Sequence, residues 1–432
     1  MTYIEVIDYL YSHLPMFTRD GTAAFKKDLT NTLRLCERLG NPQKRFPSVH
    51  IAGTNGKGSS SHMLAAILQS AGYKTGLYTS PHLLDFRERI KIDGVMVPQS
   101  FVIDFVKEYK SFIEEIQPSF FEVTVAMAFA YFALEKVDIA IIETGLGGRL
   151  DSTNVILPIL SLITNIGYDH MNILGNSLLE IAQEKAGIIK PSIPVVISER
   201  QAIVDELFLQ RAGDQHAPIR FASDEWSIHQ TTIDTTYQYI QASHQITGED
   251  ITIRLDLRGS YQQKNVAGVL TSVQMLQKLG YLIGAESIKT GLASVQRLTG
   301  LMGRWQTLST HPLVICDTGH NEDGWQEVMR NIQSTTHKRL HLILGVMRDK
   351  DLAHMLALLP QAASYYFCNP AFERALPASE LEAKALEFNL VGKAYESIPI
   401  AINAAIQAAT VDDLIFIGGS TFVVAEALPV FM

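Results

Sequence analysis

Short apolar runs bounded by glycine, proline or polar residues alternate with stretches of helical spacing along the first half of the chain. The runs at 48–52, 75–79, 137–143, 159–165 and 194–198 are too short for stable helices and predict strands. Residues 62–68, 101–116 and 123–134 place apolar positions at helical intervals, and the first ten residues predict an amphipathic helix. This alternation implies an α/β fold with a parallel sheet under helices, and ligands of such sheets gather at the carboxyl ends of the strands.

From 228 to 257 the pattern changes to alternating Thr, Ile and Tyr, which predicts a small antiparallel insertion of structural role. After Trp305 a second series begins, with apolar runs at 313–316, 340–344, 364–367 and 413–417, and predicts a separate, smaller α/β domain. Gly300 and Gly303 punctuate the junction, so the division expected is 1–297 and 298–432. A chain of 432 residues exceeds what one core usually serves, in keeping with two domains.

Composition narrows the function class. With 47% hydrophobic and 19% charged residues the chain suits a globular protein and leaves no room for a long disordered tail. A net charge of −9 argues against general nucleic-acid binding, so an anionic ligand needs a local cluster of Lys and Arg. Cys36, Cys316 and Cys368 are widely spaced, which indicates neither a disulfide framework nor a zinc site and points to a reducing cytoplasm. The acidic N-terminus does not resemble a secretory signal, and no apolar run is long enough to cross a membrane, so no membrane partner is expected.

The segment with the clearest chemistry is Ile51-Ala-Gly-Thr-Asn-Gly-Lys-Gly-Ser-Ser60, between a predicted strand and a predicted helix. Gly53 and Gly56 free the backbone to aim N–H groups at phosphate oxygens, with Asn55, Gly58 and Ser59 in the same loop and Lys57 as the point charge. The ordinary phosphate loop has glycine where Ile51 stands and no residue between its lysine and hydroxyl, so only the second half fits. A magnesium ligand is therefore expected from elsewhere. Ser80 in Thr79-Ser-Pro-His-Leu83 follows one strand, Glu143 closes another before Thr144-Gly-Leu-Gly-Gly-Arg-Leu-Asp-Ser-Thr-Asn154, and His170 ends Ile163-Thr-Asn-Ile-Gly-Tyr-Asp-His170. Lys185, in Ala182-Gln-Glu-Lys-Ala-Gly-Ile-Ile-Lys190, reads from its residues alone as a surface ion pair.

Taken in order, these five segments resemble the folylpolyglutamate synthase/dihydrofolate synthase branch of the Mur-type ATP-dependent amide ligases, over nearly the whole chain. The resemblance implies an N-terminal Mur-ligase-like ATPase domain and a C-terminal Rossmann-like domain. It assigns residues 56–59 to ATP phosphates and Ser80, Glu143 and His170 to two Mg²⁺ ions. It also implies a carbamylated Lys185, which turns a repelling cation into an oxygen ligand.

Further assignments come from the same resemblance. In Gly259-Ser-Tyr-Gln-Gln-Lys-Asn265, Asn265 takes the adenine-contacting place, although such an Asn could equally cap a helix. Met302-Gly-Arg304 stands where the family has Pro-Gly-Arg and makes Arg304 a candidate phosphate clamp at the hinge. Cys316-Asp-Thr-Gly-His-Asn-Glu-Asp-Gly324 departs from the family segment at Thr318, Gly319 and Glu322, yet keeps Asp317 for the nucleotide and His320 near the incoming amino acid, with a base role as a hypothesis. Residues 345–351, 374–377 and 418–420 match C-terminal family segments, with Ser420 as a glutamate contact. Phe121, Glu122, Thr124 and Arg149 match positions lining a pterin pocket, where the plain alternative for Phe121 is core packing.

The implied reaction joins a dihydropteroate or folate carboxylate to L-glutamate through an acyl phosphate, in a monomer that carries one or both ligase activities. Three rivals stand beside it. A Mur-type ligase acting on another carboxylate, such as a cell-wall precursor, normally has an extra N-terminal domain, for which a loop beginning near residue 53 leaves no space. A catalytically silent nucleotide-binding scaffold would lack Mg-ATP turnover. A phosphate-loop kinase would not consume glutamate.

Overall fold

The computed structural model describes residues 1–21, 26, 28–348 and 352–432. The chain forms two compact units, one of Met1–Asp256 with Gln262–Leu301 and one of Leu257–Tyr261 with Met302–Met432. Residues 298–301 thus lie with the first unit and 257–261 with the second.

The first unit is built on an eight-stranded sheet. In chain order its strands are β1 (Ser48–Ala52), β2 (Thr75–Tyr78), β3 (Ile90–Ile92), β4 (Val95–Met96), β5 (Ile139–Glu143), β6 (Leu160–Ile163), β7 (Val195–Ile197) and β8 (Ile219–Phe221). Their order across the sheet is 4-3-2-5-1-6-7-8, with only β3 and β4 antiparallel to their neighbours. β1 lies between β5 and β6, with Ile51 opposite both Glu143 and Leu162. The carboxyl ends of β1, β2, β5 and β6 therefore open on one edge.

Every residue of β1, β5 and β6 is buried, as expected of parallel strands covered on both faces. The helix Lys57–Ser70 is buried all round from Gly58 to Leu68, and Phe120–Glu135 is apolar on all faces, so both pack as core elements. The antiparallel insertion is β9 (Trp226–Ile233), β10 (Gln238–His244) and β11 (Asp250–Leu255).

The second unit has a six-stranded sheet of β12 (Gln306–Thr310), β13 (Leu313–Cys316), β14 (Leu340–Leu344), β15 (Ser364–Phe367), β16 (Gly392–Ala394) and β17 (Leu414–Gly418). The order is 12-13-17-14-15-16, with only β12 antiparallel. Its core gathers Trp305, Trp325, Phe367 and Phe416. Both units carry the expected α/β architecture. No helix among the described residues is long and apolar enough to cross a membrane.

Candidate active site

The loop after β1 is shaped by two glycines. Gly53 has φ +150° and Gly56 φ +86°, and a β-carbon would strike the Thr164 side chain at the first and the Asn265 side chain at the second. The end of β6 holds the loop from the other side. Thr54 N donates to Asn165 O at 2.9 Å, Asn55 N to Asn165 Oδ1 at 2.8 Å, and Thr164 Oγ1 to Asn55 O at 2.6 Å. Thr54 Oγ1 also bridges Gly167 N and O. The loop conformation is thus fixed by its own neighbours.

Two ammonium groups converge on one carbonyl of this loop. Lys57, the first residue of its helix, donates to Gly53 O and Thr54 O, each at 3.0 Å. Lys185, on the helix Leu178–Ala186, donates to Gly53 O at 2.8 Å and is 3% exposed, so the surface ion pair expected from its local sequence is replaced by a buried cation. Burial, and then the charge of Lys57, push the Lys185 pKa down to about 7, against the opposing pull of Asp169 and Asp151. A share of Lys185 is therefore a neutral amine near neutral pH.

Ser80 and Glu143 meet at the ends of β2 and β5. The Ser80 amide donates to Glu143 Oε2 at 3.3 Å, and Glu143 is buried, not solvated. His170 follows β6 in a left-handed conformation, its Nε2 3.9 Å from Asp169 Oδ1. Among the described residues no group of three or more His, Cys, Asp or Glu side chains forms a metal cage. A hydroxyl and a carboxylate on adjacent strands still fit Mg²⁺, which prefers oxygen and usually completes its shell with water and phosphate.

On the far side of the loop, Asn265 lies inside the helix Gln262–Lys278 and not at its cap. Its amide donates to Gln262 Oε1 at 2.8 Å, and Gln262 in turn donates to Ser59 Oγ at 3.1 Å. Ser59 is thus buried and turned toward Gln262, while Gly58 is buried within its helix.

The four residues matched to a pterin pocket have different surroundings. Glu122 closes a capping box, accepting from Ser119 N at 2.7 Å, and Thr124 Oγ1 donates to Phe120 O at 2.7 Å, so both polar groups are committed within their own helix. Phe121 instead lies against Gly145, in the loop after Glu143, with its ring centroid 6.2 Å from that of Tyr78. Arg149 pairs with Glu184 at 2.7 Å and is largely exposed.

In the second unit Asp317 follows β13 and accepts three hydrogen bonds. Oδ2 takes Tyr261 Oη at 2.7 Å and Trp305 N at 2.8 Å, and Oδ1 takes Gly319 N at 2.8 Å. Arg304 donates to Gly303 O at 3.2 Å and also bonds Thr318 Oγ1. His320 Nδ1 lies 3.0 Å from Thr318 O, a pairing that requires Nδ1–H and leaves the lone pair of the neutral ring on Nε2. Ser420 caps the helix Thr421–Ala427 by accepting from Val423 N at 3.2 Å. Of the segment 345–351, Asp349, Lys350 and Asp351 lie outside the described residues.

Comparison with known proteins identifies the family. Residues 51–273 match the Mur ligase middle domain, and residues 303–421 match the Mur ligase glutamate ligase domain. The dihydrofolate synthase/folylpolyglutamate synthase of Bacillus subtilis is 34% identical over 390 residues, 88% of each chain. The chain belongs to that branch of the Mur ligase family. Among solved structures, a Mycobacterium tuberculosis folylpolyglutamate synthase complexed with ADP aligns with a TM-score of 0.90 at 29% identity, over 99% of this chain and 98% of that one. Escherichia coli FolC in complex with DHPP and ADP aligns with a TM-score of 0.86 at 28% identity, over 100% and 97%.

Several residues that shape this candidate site were not singled out by sequence reasoning. Thr164 and Asn165 hold the phosphate loop, Gln262 links Ser59 to Asn265, and Tyr261 anchors Asp317. Asp151 organises the glycine-rich loop by accepting from Leu146 N at 2.8 Å and Thr153 N at 3.0 Å, and burial raises its pKa. All five lie inside quoted motifs, so position was available and role was not.

Proposed function

We propose that the chain ligates L-glutamate to a pterin or folate carboxylate, driven by ATP hydrolysis, with both dihydrofolate synthase and folylpolyglutamate synthase activities. The observation that carries this is the convergence of Lys57 and Lys185 on the carbonyl of a glycine phosphate loop, beside Ser80 and Glu143. The name of the Bacillus subtilis relative, which covers both activities, and the ADP and DHPP complexes of the solved structures support it.

The reaction needs the substrate carboxylate activated, since amide formation in water is uphill. The carboxylate oxygen attacks the γ-phosphorus of ATP, ADP leaves, and an acyl phosphate forms. The glutamate amine, having lost its ammonium proton, attacks the acyl carbon, and phosphate leaves. Gly53, Asn55, Gly56, Gly58 and Ser59 shape the phosphate site, and Lys57 offsets charge on the phosphoryl group in flight. Ser80, Glu143, His170 and a carbamylated Lys185 would hold two Mg²⁺ ions, which would supply Lewis-acid stabilisation of phosphate charge.

Lys185 suits carbamylation, because its neutral amine is the form that adds CO₂, releasing one proton. Asn265, Arg304 and Asp317 serve the nucleotide. Phe121 serves the pterin by stacking, with Glu122, Thr124 and Arg149 shaping that pocket, and His320 and Ser420 serve glutamate. Residues 1–297 carry the ATP-binding role and 298–432 the glutamate-ligase role. The base role for His320 remains part of this proposal, and the pairing of its Nδ1 with Thr318 O is compatible with it. Three buried, unpaired cysteines suit a reducing cytoplasm, and a monomer is sufficient for this chemistry.

The test is phosphate release and product mass with Mg-ATP and L-glutamate, comparing dihydropteroate with tetrahydrofolate, and with Lys57→Ala as control. Turnover with both gives a bifunctional enzyme, and turnover with one selects the branch. No glutamate-dependent turnover with either overturns the proposal in favour of another carboxylate or a silent scaffold.

A further inference from the structure

The chain passes between its two units after Asp256, after Tyr261 and after Leu301. The third passage is held by a lysine that has no part in the chemistry above. Lys91, on β3, is buried, and its ammonium group meets carbonyls in place of a carboxylate. It donates to Thr299 O at 2.8 Å and to Gly300 O at 3.3 Å, at the carboxyl end of the short helix Val295–Thr299. A buried cation is costly to desolvate, and the negative end of a helix offsets part of that cost. The turn after β3 presses on the same end. Gly94 there has φ +77°, and a β-carbon on it would strike Leu298 O.

The other end of that helix is tied to the first passage. Asp256 Oδ2 accepts from Gln296 N at 2.8 Å, and Gln296 Nε2 donates to Asp256 O at 2.8 Å, so the residue before one passage and the helix before another form one assembly. His62 joins this assembly to the phosphate loop. The Thr299 hydroxyl gives its proton to Val295 O at 2.6 Å, so His62 Nδ1 is the donor across the 2.7 Å to Thr299 Oγ1. His62 lies on the helix that Lys57 opens. So does Ser59, which accepts from Gln262 just after the second passage. Each passage is thereby tied to the helix that carries the lysine of the phosphate loop.

The order of the reaction gives this bracing a consequence. The acyl phosphate is assigned to the phosphate loop and glutamate to the second unit, so attack by the amine depends on where the chain leaves the first. An acyl phosphate that waits for its amine meets water, which adds to the acyl carbon, returns the carboxylate and releases phosphate. We propose, resting on the ligase function proposed above, that Lys91, Asp256 and Gln296 are positioning residues that hold the passages between the units, so that glutamate and not water takes the acyl group. They act through the backbone that follows them, at 257 and 302, and not on the reacting atoms.

The experiment counts phosphate released and glutamyl product formed in one reaction, with Mg-ATP, saturating L-glutamate and dihydropteroate or tetrahydrofolate, whichever wild type uses. Wild type is expected to release about one phosphate per product. Lys91→Met is expected to slow product formation about ten- to a hundredfold and to raise that ratio about twofold or more, with the KM of the pterin substrate unchanged. Gln296→Met removes one side-chain hydrogen bond at a partly buried position and so keeps the fold; it is expected to raise the ratio about 1.5-fold. This second variant decides the matter if Lys91→Met does not fold. Loss of folded enzyme alone lowers the rate and leaves the ratio as in wild type, so an unchanged ratio in the folded variants overturns the bracing role alone. Failure of wild type to form any glutamyl product overturns the ligase function itself.

Discussion

Lys185 and Asp317 are both buried ionisable groups beside a glycine-bearing loop, one in each unit, and their surroundings are opposite. Among the described residues Lys185 has a single carbonyl for a hydrogen-bond partner, and burial together with a second ammonium nearby disfavours its charged form. Asp317 accepts from a phenol and two backbone amides of its own unit. A charge that its fold leaves under-satisfied is set for a ligand or a modification. A charge that its fold satisfies holds other groups in place. By this criterion the first unit keeps electrostatic capacity for phosphate, and Asp317, besides the nucleotide role proposed for it, holds the amides of Trp305 and Gly319 in place.

The contrast breaks most visibly at Lys57. Lys57→Ala is expected to lower kcat about a thousandfold, near 4 kcal/mol, with an unchanged melting temperature, because among the described residues its ammonium group is held by two loop carbonyls alone. Activity within tenfold of wild type would remove the first unit's cations from the machinery. Next in size, Asp317→Ala strands Trp305 N and Gly319 N and is expected to destabilise the second unit by about 3 kcal/mol in urea unfolding followed by tryptophan fluorescence. A loss below about 1 kcal/mol would mean that Asp317 is not the scaffold described.

Lys185→Met sharpens the comparison through pH. With a folded pKa of about 7 against an ordinary 10.5, the unfolded chain binds more protons between those values, so stability rises with pH across that window. The penalty is full below pH 7 and gone above 10.5. Removing the amine is expected to raise stability at pH 7 by about 1–2 kcal/mol in CO₂-free buffer and to flatten the slope above it, as read from denaturation midpoints at several pH values. A variant less stable than wild type at pH 7 would show Lys185 to be a satisfied group. The smallest effect is expected at the exposed Arg149–Glu184 pair, where Arg149→Ala should change stability by less than about 0.5 kcal/mol.

Legibility in the sequence followed the same physics. β1, β5 and β6 were readable because strands buried on both faces read as predominantly apolar runs, here broken only by Ser48, His50, Glu143 and Ser161. β3 was not, since Ile90-Lys-Ile is short and carries a lysine whose ammonium group reaches back to Thr299 O at 2.8 Å, a partner 208 residues away. β12 and β16, at the edges of the second sheet, were missed for similar shortness and polarity. In the site, glycines and strand-end polar residues marked where chemistry lies. Glu122 and Thr124 could not be separated from Phe121 by pattern alone, because capping and back-bonding to the helix depend on rotamers that a sequence does not display. Lys185 read as a surface residue because nothing in its local sequence shows that its helix faces Gly53.

The central claim is that a substrate carboxylate is activated by phosphoryl transfer before glutamate attacks. It is tested most directly by supplying tetrahydrofolate labelled with ¹⁸O in its γ-carboxylate and measuring the mass of the released phosphate. One ¹⁸O in each phosphate is predicted, because the oxygen that attacks phosphorus leaves with it. Unlabelled phosphate, formed together with the glutamyl product, would contradict the account.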